Sequence, residues 1–319
     1  MTSTLKRLLS LKKVAFKEQF AYGQLEILLD YLGLDYSYSL AGRLQHGAWY
    51  PNSRESFLTP ISRLRLQPFW VYSKRVEEIA NQANLRHVRA IGAPWYYMKH
   101  NISEKKLSDS SYESILIMPQ HSTVNYINKS SVTLKNIRAK EFRSLVGNKN
   151  ATVCLYYMDY LDLITRESFL NQGFEVTCLG MGTNEVPWSP QGSRREFLYN
   201  LYNLMIRHTH FAGEAFSTSL FYAMDLNLKI GIFPELRRFV EFSSNGFSQS
   251  KDSLIEKDEN SINYFKKGVL NSSIGDFNYS EEYETEIENF LGKSAVMKPD
   301  QLIKILKFNK INTEKYAKV

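Results

Sequence analysis

The sequence predicts an α/β protein in two lobes built on parallel sheets, and three observations carry that reading. Short, continuous apolar runs alternate with helical periodicity: "SILIMP" (114–119), "ATVCLYYM" (151–158), "FEVTCLG" (174–180) and "KIGIFP" (229–234). Strands apolar on both faces belong to sheets covered on both sides, which are mostly parallel. At 319 residues the chain exceeds the size at which one core usually stops growing. A polar, unpatterned stretch, "KHNISEKKLSDSSY" (99–112), separates two apolar halves.

Taken in order, residues 5–33 place apolar residues three and four apart and predict helix, closed by Gly33 and Asp35. Residues 36–45 lead into "QHG", and a loop rich in Pro and Ser follows over 50–68. "PFWVYS" (68–73) predicts a strand, "KRVEEIANQANL" (74–85) a helix, and "HVRAIGAPW" (87–95) a strand ending in a Gly-x-Pro turn. After the linker, helices are predicted over 133–146, 163–173, 193–209 and 217–227, between the four apolar strands. "HFAGE" (210–214) reads as a short strand or turn. Residues 243–290 are rich in Ser, Asn and acids. "KPDQLIKILKFN" (298–309) predicts a last helix with Pro299 in its first turn. The resulting division is 1–105, 106–245 and 246–319.

Charge is unevenly placed. The net +7 combines local excesses of +4 over residues 1–20 and +5 over 291–319 with −6 over 251–290. Basic ends suit an anionic membrane surface or a phosphorylated ligand; solvated surface helices are the alternative. No basic–aromatic nucleic-acid motif occurs, so no nucleic-acid partner is expected. Cys154 and Cys178 lie in strand-like runs, which fits a reduced, buried pair and a cytoplasmic setting. No signal peptide or membrane span is expected.

Four segments carry candidate chemistry. In "FAGEAFSTSLFYAMD" (211–225), a small-residue turn after a strand opens a helix, whose exposed N–H groups form an anion site. Gly213 permits close approach, Ser217, Thr218 and Ser219 add hydroxyls, and Glu214 can accept from a ribose or sugar. The alternative is a helix capped by Ser217 or Thr218, with no ligand. In "LIMPQHST" (116–123), Pro119, Gln120, His121 and Ser122 follow a buried strand, where open α/β sheets bind ligands. In "CLGMGTNEVPW" (178–188), Gly180 and Gly182 follow a strand without forming GxGxxG; they line a cleft or form a plain loop. In "LQHGAWYPNS" (44–53), His46 stands between an apolar segment and large aromatics, and a neutral imidazole accepts a proton from a hydroxyl near pH 7. A histidine satisfied by backbone contacts is the other reading. No zinc spacing, P-loop, GxSxG or DxD occurs. His208 and His210, two apart, do not form a metal pair on one helix face.

The order of these segments carries a resemblance: Gln45-His46-Gly47, an aromatic strand and helix, Gly92-x-Pro94, Met118-Pro119 with polar residues after it, an α/β repeat, and a small-residue helix start before a last strand. Over about 44–234 this resembles the bacterial GT-B glycosyltransferases of surface polymers. Within them it looks most like the teichoic-acid glycerophosphotransferase, capsule-polysaccharide and polysialyltransferase-like groups. The resemblance implies a GT-B-like fold of two Rossmann-like lobes, here with a shortened N-terminal, acceptor-side lobe and a donor lobe at 106–245. It also implies His46 as base, with His121, His208 and His210 competing for a second donor-side histidine. By the same resemblance, Gly92 and Pro94 precede the interlobe region, Pro119 and Gln120 follow the first donor-lobe strand, and Glu214, Ser217, Thr218 and Ser219 form the phosphate-binding helix start. "AWYP" follows Gly47, where glycerophosphotransferases carry a proline-lysine pattern.

The expected function is transfer of a sugar from a nucleotide-activated donor, used as co-substrate with no cofactor or metal, to a hydroxyl of a glycan or lipid-linked glycan at the cytoplasmic membrane face. A nucleotide-sugar epimerase or hydrolase, and a non-catalytic nucleotide- or carbohydrate-binding subunit, are the alternatives.

Overall fold

A computed structural model of the chain describes residues 19–47, 68–102, 113–120, 126–128, 132–180, 196–214, 217–233, 242–244 and 282–310. Everything below concerns these residues. His121, Ser122, Gly182, the basic residues 1–18 and most of the acidic excursion lie outside them.

The fold is mixed α/β with two parallel sheets. Strand β1 (Tyr38–Leu40) precedes a three-stranded parallel sheet of β2 (Arg43–Leu44), β3 (Phe69–Val71) and β4 (Val88–Ala90). Helix α1 (Gln24–Leu32) stops at Gly33, which takes the left-handed conformation. Helix α2 (Lys74–Gln82) starts because the Ser73 hydroxyl accepts from Val76 N–H at 3.4 Å. Helix α3 (Pro94–Asn101) begins on a proline, whose missing N–H costs nothing there; it takes up the first three residues of the expected linker.

The second sheet contains β5 (Ser114–Met118), β7 (Asn150–Leu155), β8 (Glu175–Cys178), β9 (His210–Gly213) and β10 (Lys229–Ile232), all parallel, in the order β10-β9-β5-β7-β8. Numbered along the chain that is 3-2-1-4-5, the order of a doubly wound sheet without its sixth strand. Its helices are α4 (Val132–Val146), α5 (Tyr157–Leu161), α6 (Leu163–Leu170), α7 (Phe197–Met205) and α8 (Thr218–Asp225). A separate antiparallel pair joins β6 (Tyr126–Asn128) to β11 (Phe242–Ser244). Cys154 and Cys178 are buried, free thiols on neighbouring strands, and burial raises the pKa of both.

Three expectations are corrected. The helix predicted over 5–33 is, from residue 19 onward, a turn followed by α1, because Tyr22 and Gly23 both adopt positive φ and interrupt the helical path. The strand predicted over 151–158 stops at Leu155, and Tyr157 opens a helix. The last helix, α10 (Pro299–Ile305), is shorter than 298–309; Phe308–Lys310 forms β12, paired antiparallel with β1. Pairing with a strand some 270 residues away overrides the local helical pattern.

The two sheets share one core. Leu25, Trp70 and Trp95 from the first half and Phe211, Phe221 and Tyr222 from the second belong to a single buried cluster. Trp95 on α3 stacks on Tyr222 of α8 at 4.2 Å, and its indole N–H donates to Asp225 at 2.7 Å. Lys99 pairs with the same carboxylate at 2.8 Å. Helix α9 (Glu282–Leu291) packs on α8, with Phe290 stacked on Phe221 at 4.0 Å, while Ala93 N–H donates to the carbonyl of Leu291. Each such aromatic pair adds about 0.5–1.5 kcal/mol beyond area burial. The C-terminal segment therefore holds α3 and α8 together, which fixes the first sheet against the second.

Candidate functional site

The five-stranded sheet reverses its order at β5, whose neighbours are β7 on one side and β9 on the other. Ligands of such sheets bind beyond the carboxyl ends of the strands at this reversal. Met118 pairs with Gly213 there, so Pro119 and Gln120 leave the sheet beside Glu214 and the start of α8. These residues, which sequence reading drew from two distant segments, are brought together.

Glu214 does something other than expected. It is fully buried, and its carboxylate is gripped by Arg138 of α4, itself 4% exposed, with Nε donating at 2.8 Å and Nη2 forming a second contact. The Gln120 N–H also donates to Glu214, and Arg138 Nη2 donates to the Gln120 carbonyl at 2.8 Å. The carboxylate is thus consumed in tying the β5 loop to the β9 end, and it presents no oxygen to a ribose. A buried carboxylate needs this pairing, because an isolated charge in the interior is too costly.

Ser217 caps α8: its hydroxyl accepts from Leu220 N–H at 3.3 Å. As the alternative reading anticipated, the serine is an N-cap. Capping engages the hydroxyl's acceptor side and the Leu220 N–H, and the dipole at this helix end favours an anion. Ser217 is exposed, and Thr218 and Ser219 are half-buried.

His46 comes from the first sheet, one residue past Gln45 at the carboxyl end of β2. Gln45 is buried and holds the loop: its N–H donates to the Trp70 carbonyl, its Oε1 accepts from Tyr72 N–H at 2.9 Å, and its Nε2 donates to the Gly47 carbonyl at 2.8 Å. Gly47 adopts φ +74°, and a Cβ there would lie 2.9 Å from Thr218 Oγ1. The His46–Gly47 loop therefore sits directly against the first turn of α8. The His46 ring stacks on Tyr22, with centroids 5.1 Å apart and planes 19° apart. Although His46 reaches solvent, the protein packed around its ring and, secondarily, the charge of Arg43 hold its pKa below the ordinary imidazole value.

The other expected site residues are placed elsewhere. Gly92 is scaffold: its N–H donates to the Tyr72 carbonyl, and a Cβ there would meet Val296 Cγ2 at 2.7 Å, so no donor group reaches it. Pro94 is buried as the first residue of α3. Gly180 is buried beyond edge strand β8, its N–H on Cys178 Sγ at 3.3 Å, with β7 between it and the order reversal. His208 and His210 lie at the amino ends of the strands, opposite α8. There His208 contacts the Leu204 carbonyl through Nδ1 and Thr152 Oγ1 through Nε2. A groove of about 670 Å³ at that end is lined by Arg143, Lys149, Glu175, Arg207 and His208, away from His46. Of the three competing histidines, only His121 follows a strand's carboxyl end, and it lies outside the described residues. Among the described residues no group of three or more His, Cys, Asp and Glu could hold a metal ion, and no helix is long and apolar enough to cross a membrane.

Sequence reading missed Tyr22, Arg138 and the Gln45 clamp. Arg138 carries no local signal inside an ordinary helix; "AYG" (21–23), a bulky residue before glycine within an apparent helix, marks an interruption.

No protein-family model matches the chain, and no curated protein matches it. Among solved structures, it is similar to a crystal structure of an S. aureus TarM mutant in complex with fondaparinux, alpha-GlcNAc-glycerol and UDP. The identity is 10% and the TM-score 0.33, and the match covers 82% of this chain and 49% of that one. The chain thus spans about half the length of that structure, and a likeness of this size decides neither fold nor activity.

Proposed function

We propose that this chain is a glycosyltransferase that moves a sugar from a nucleotide-activated donor to a hydroxyl of a bacterial surface glycan, with His46 as the base. The observation that supports this reading best is the apposition of the His46–Gly47 loop and the first turn of α8 at the order reversal of the five-stranded sheet. An imidazole kept neutral near pH 7 takes the proton of the acceptor hydroxyl. The first-turn amides and the Ser217 hydroxyl receive the donor phosphates and stabilise the negative charge that develops on the departing nucleotide. Arg138 and Glu214 touch neither substrate; they hold the β5 loop and the β9 end in place around the donor. A lipid-linked acceptor and contact of the basic termini with anionic lipid extend the same proposal.

The test is a thermal-shift panel of CMP, CDP, UDP, GDP and their sugars, followed by transfer assays with the stabilising donor. Donor at a hundred times its Kd stabilises the fold by about 2.7 kcal/mol. His46→Ala is expected to lower transfer by roughly 10²–10⁴-fold while keeping that stabilisation. Equal turnover by the variant removes His46 from the mechanism, and a panel in which no nucleotide stabilises the chain overturns the donor reading.

A further inference from the structure

The turn before α1 carries an unusual residue. Tyr22 adopts φ 56° and ψ 20°, the left-handed region that bulky side chains rarely enter, and Gly23 after it adopts φ 72°. Two consecutive left-handed residues swing the chain sharply between residue 20 and α1. The turn is pinned on both sides: the buried Gln19 accepts from Leu40 N–H through Oε1 at 2.7 Å, and its carbonyl accepts from Leu25 N–H at 3.1 Å. Glycine or asparagine would fit this backbone with less strain, so the tyrosine is kept there against local preference.

The result is the direction in which the ring projects. One side of Tyr22 meets the His46 imidazole at 5.1 Å and 19°. It also meets Phe197, on α7 of the second sheet, at 4.8 Å and 46°. Tyr22 thus stands between the loop that carries His46 and the half of the molecule that carries α8.

We propose that Tyr22 is a positioning residue for His46: its ring, backed by Phe197, fixes the plane of the imidazole and shields one face of it from water. The proposal rests on the reading of His46 as base. The ring does this and the hydroxyl does not; burial and the neighbouring Tyr156 push the phenol up to about 12, so it stays protonated across the working range. Among the described residues, Arg43 on its own segment acts on the charge of His46, and Tyr22 packs against its ring. Removing the ring admits water to the imidazole face and favours its charged form.

The experiment is a histidine NMR titration of the full chain, with the His46 signal among the six histidines assigned by its loss in His46→Gln. No substrate is required. Tyr22→Phe is expected to leave the midpoint unchanged, and Tyr22→Leu to raise it towards the ordinary imidazole value. Phe197→Leu, which withdraws the backing without touching His46, is expected to move it in the same direction by less, and it serves where Tyr22→Leu does not fold. A His46 midpoint unmoved in Tyr22→Leu, or in Phe197→Leu where only that variant folds, overturns the proposal, as does a Tyr22→Phe variant that moves it as far as Tyr22→Leu. The transferase reading fails separately, through undiminished transfer by His46→Ala, and that result leaves the titration interpretable.

Discussion

Thr218 Oγ1 lies so close to Gly47 that a Cβ on the glycine would come within 2.9 Å of it, although 171 residues of chain separate the two. This contact joins the carboxyl end of the three-stranded sheet to the helix that leaves the five-stranded one. The first prediction is at Gly47 itself. Gly47→Ala meets two penalties: the left-handed φ of +74°, which costs an L-residue roughly 1–2 kcal/mol, and a forced shift of the Thr218 side chain. Thr218 can rotate, so the backbone penalty dominates. The single variant is expected to lose about 1–2 kcal/mol in urea unfolding, and adding Thr218→Ala is expected to recover less than half. Full recovery in the double variant would mean that the backbone at 47 is not held where the structure puts it.

A second prediction concerns the buried pair beneath the site. Glu214→Gln leaves the Arg138 guanidinium buried against an uncharged partner, and loss of one member of a buried pair costs about 3–5 kcal/mol. Replacing both members, as in Arg138→Met with Glu214→Leu, removes the stranded charge and is expected to cost less than either single change. Denaturant midpoints of Glu214→Gln, Arg138→Met and the double variant decide this, and a double variant no better than the singles would count against it.

The third prediction is a pH dependence. His46, His208 and His210 all have pKa values held below the ordinary imidazole value, in each case first by burial. Neighbouring cations add to this: Arg43 for His46, Arg207 for His208, and Lys229 and Lys149 for His210. The Leu204 carbonyl and Glu175 oppose it at His208, as Glu113 does at His210. A group with a depressed native pKa binds fewer protons folded than unfolded once the pH drops below the unfolded value of about 6.5. Stability from these histidines is therefore complete above that pH and declines as the pH falls through it. Urea midpoints between pH 8 and 5 should decline on the acid side, and His208→Gln, at one of the two buried histidines, should flatten the decline. A slope unchanged in His208→Gln would assign the effect to other groups.

Local pattern was sufficient for much of the architecture. The apolar runs at 114–119, 174–180 and 229–234 are parallel strands within two residues of their expected ends, because a strand covered on both faces must be apolar throughout. Ser217 was legible as a helix cap, since capping is settled within four consecutive residues. That the segments after β5 and β9 leave the sheet at its carboxyl edge was legible, because parallel strands all end on the same side.

Relationships between distant segments were not legible. Arg138 reads as one more cation on an amphipathic helix, and only packing shows it clasping Glu214, 76 residues away. Gly92 reads as a turn glycine and proves to be the surface on which Val296 rests. Phe308–Lys310 continues a helical pattern and becomes a strand because β1 offers an unpaired edge.

Periodicity, caps and apolar runs are settled by neighbours within a few residues, so composition along the chain decided the α/β class, the parallel strands and the helix starts. Which loop faces which helix depends on contacts closed over tens to hundreds of residues, and such contacts form only where complementary shapes and charges meet in three dimensions. The pairing of Gly47 with Thr218, the stacking of Tyr22 on His46 and the burial of Glu214 are of that second kind, and folding alone established them.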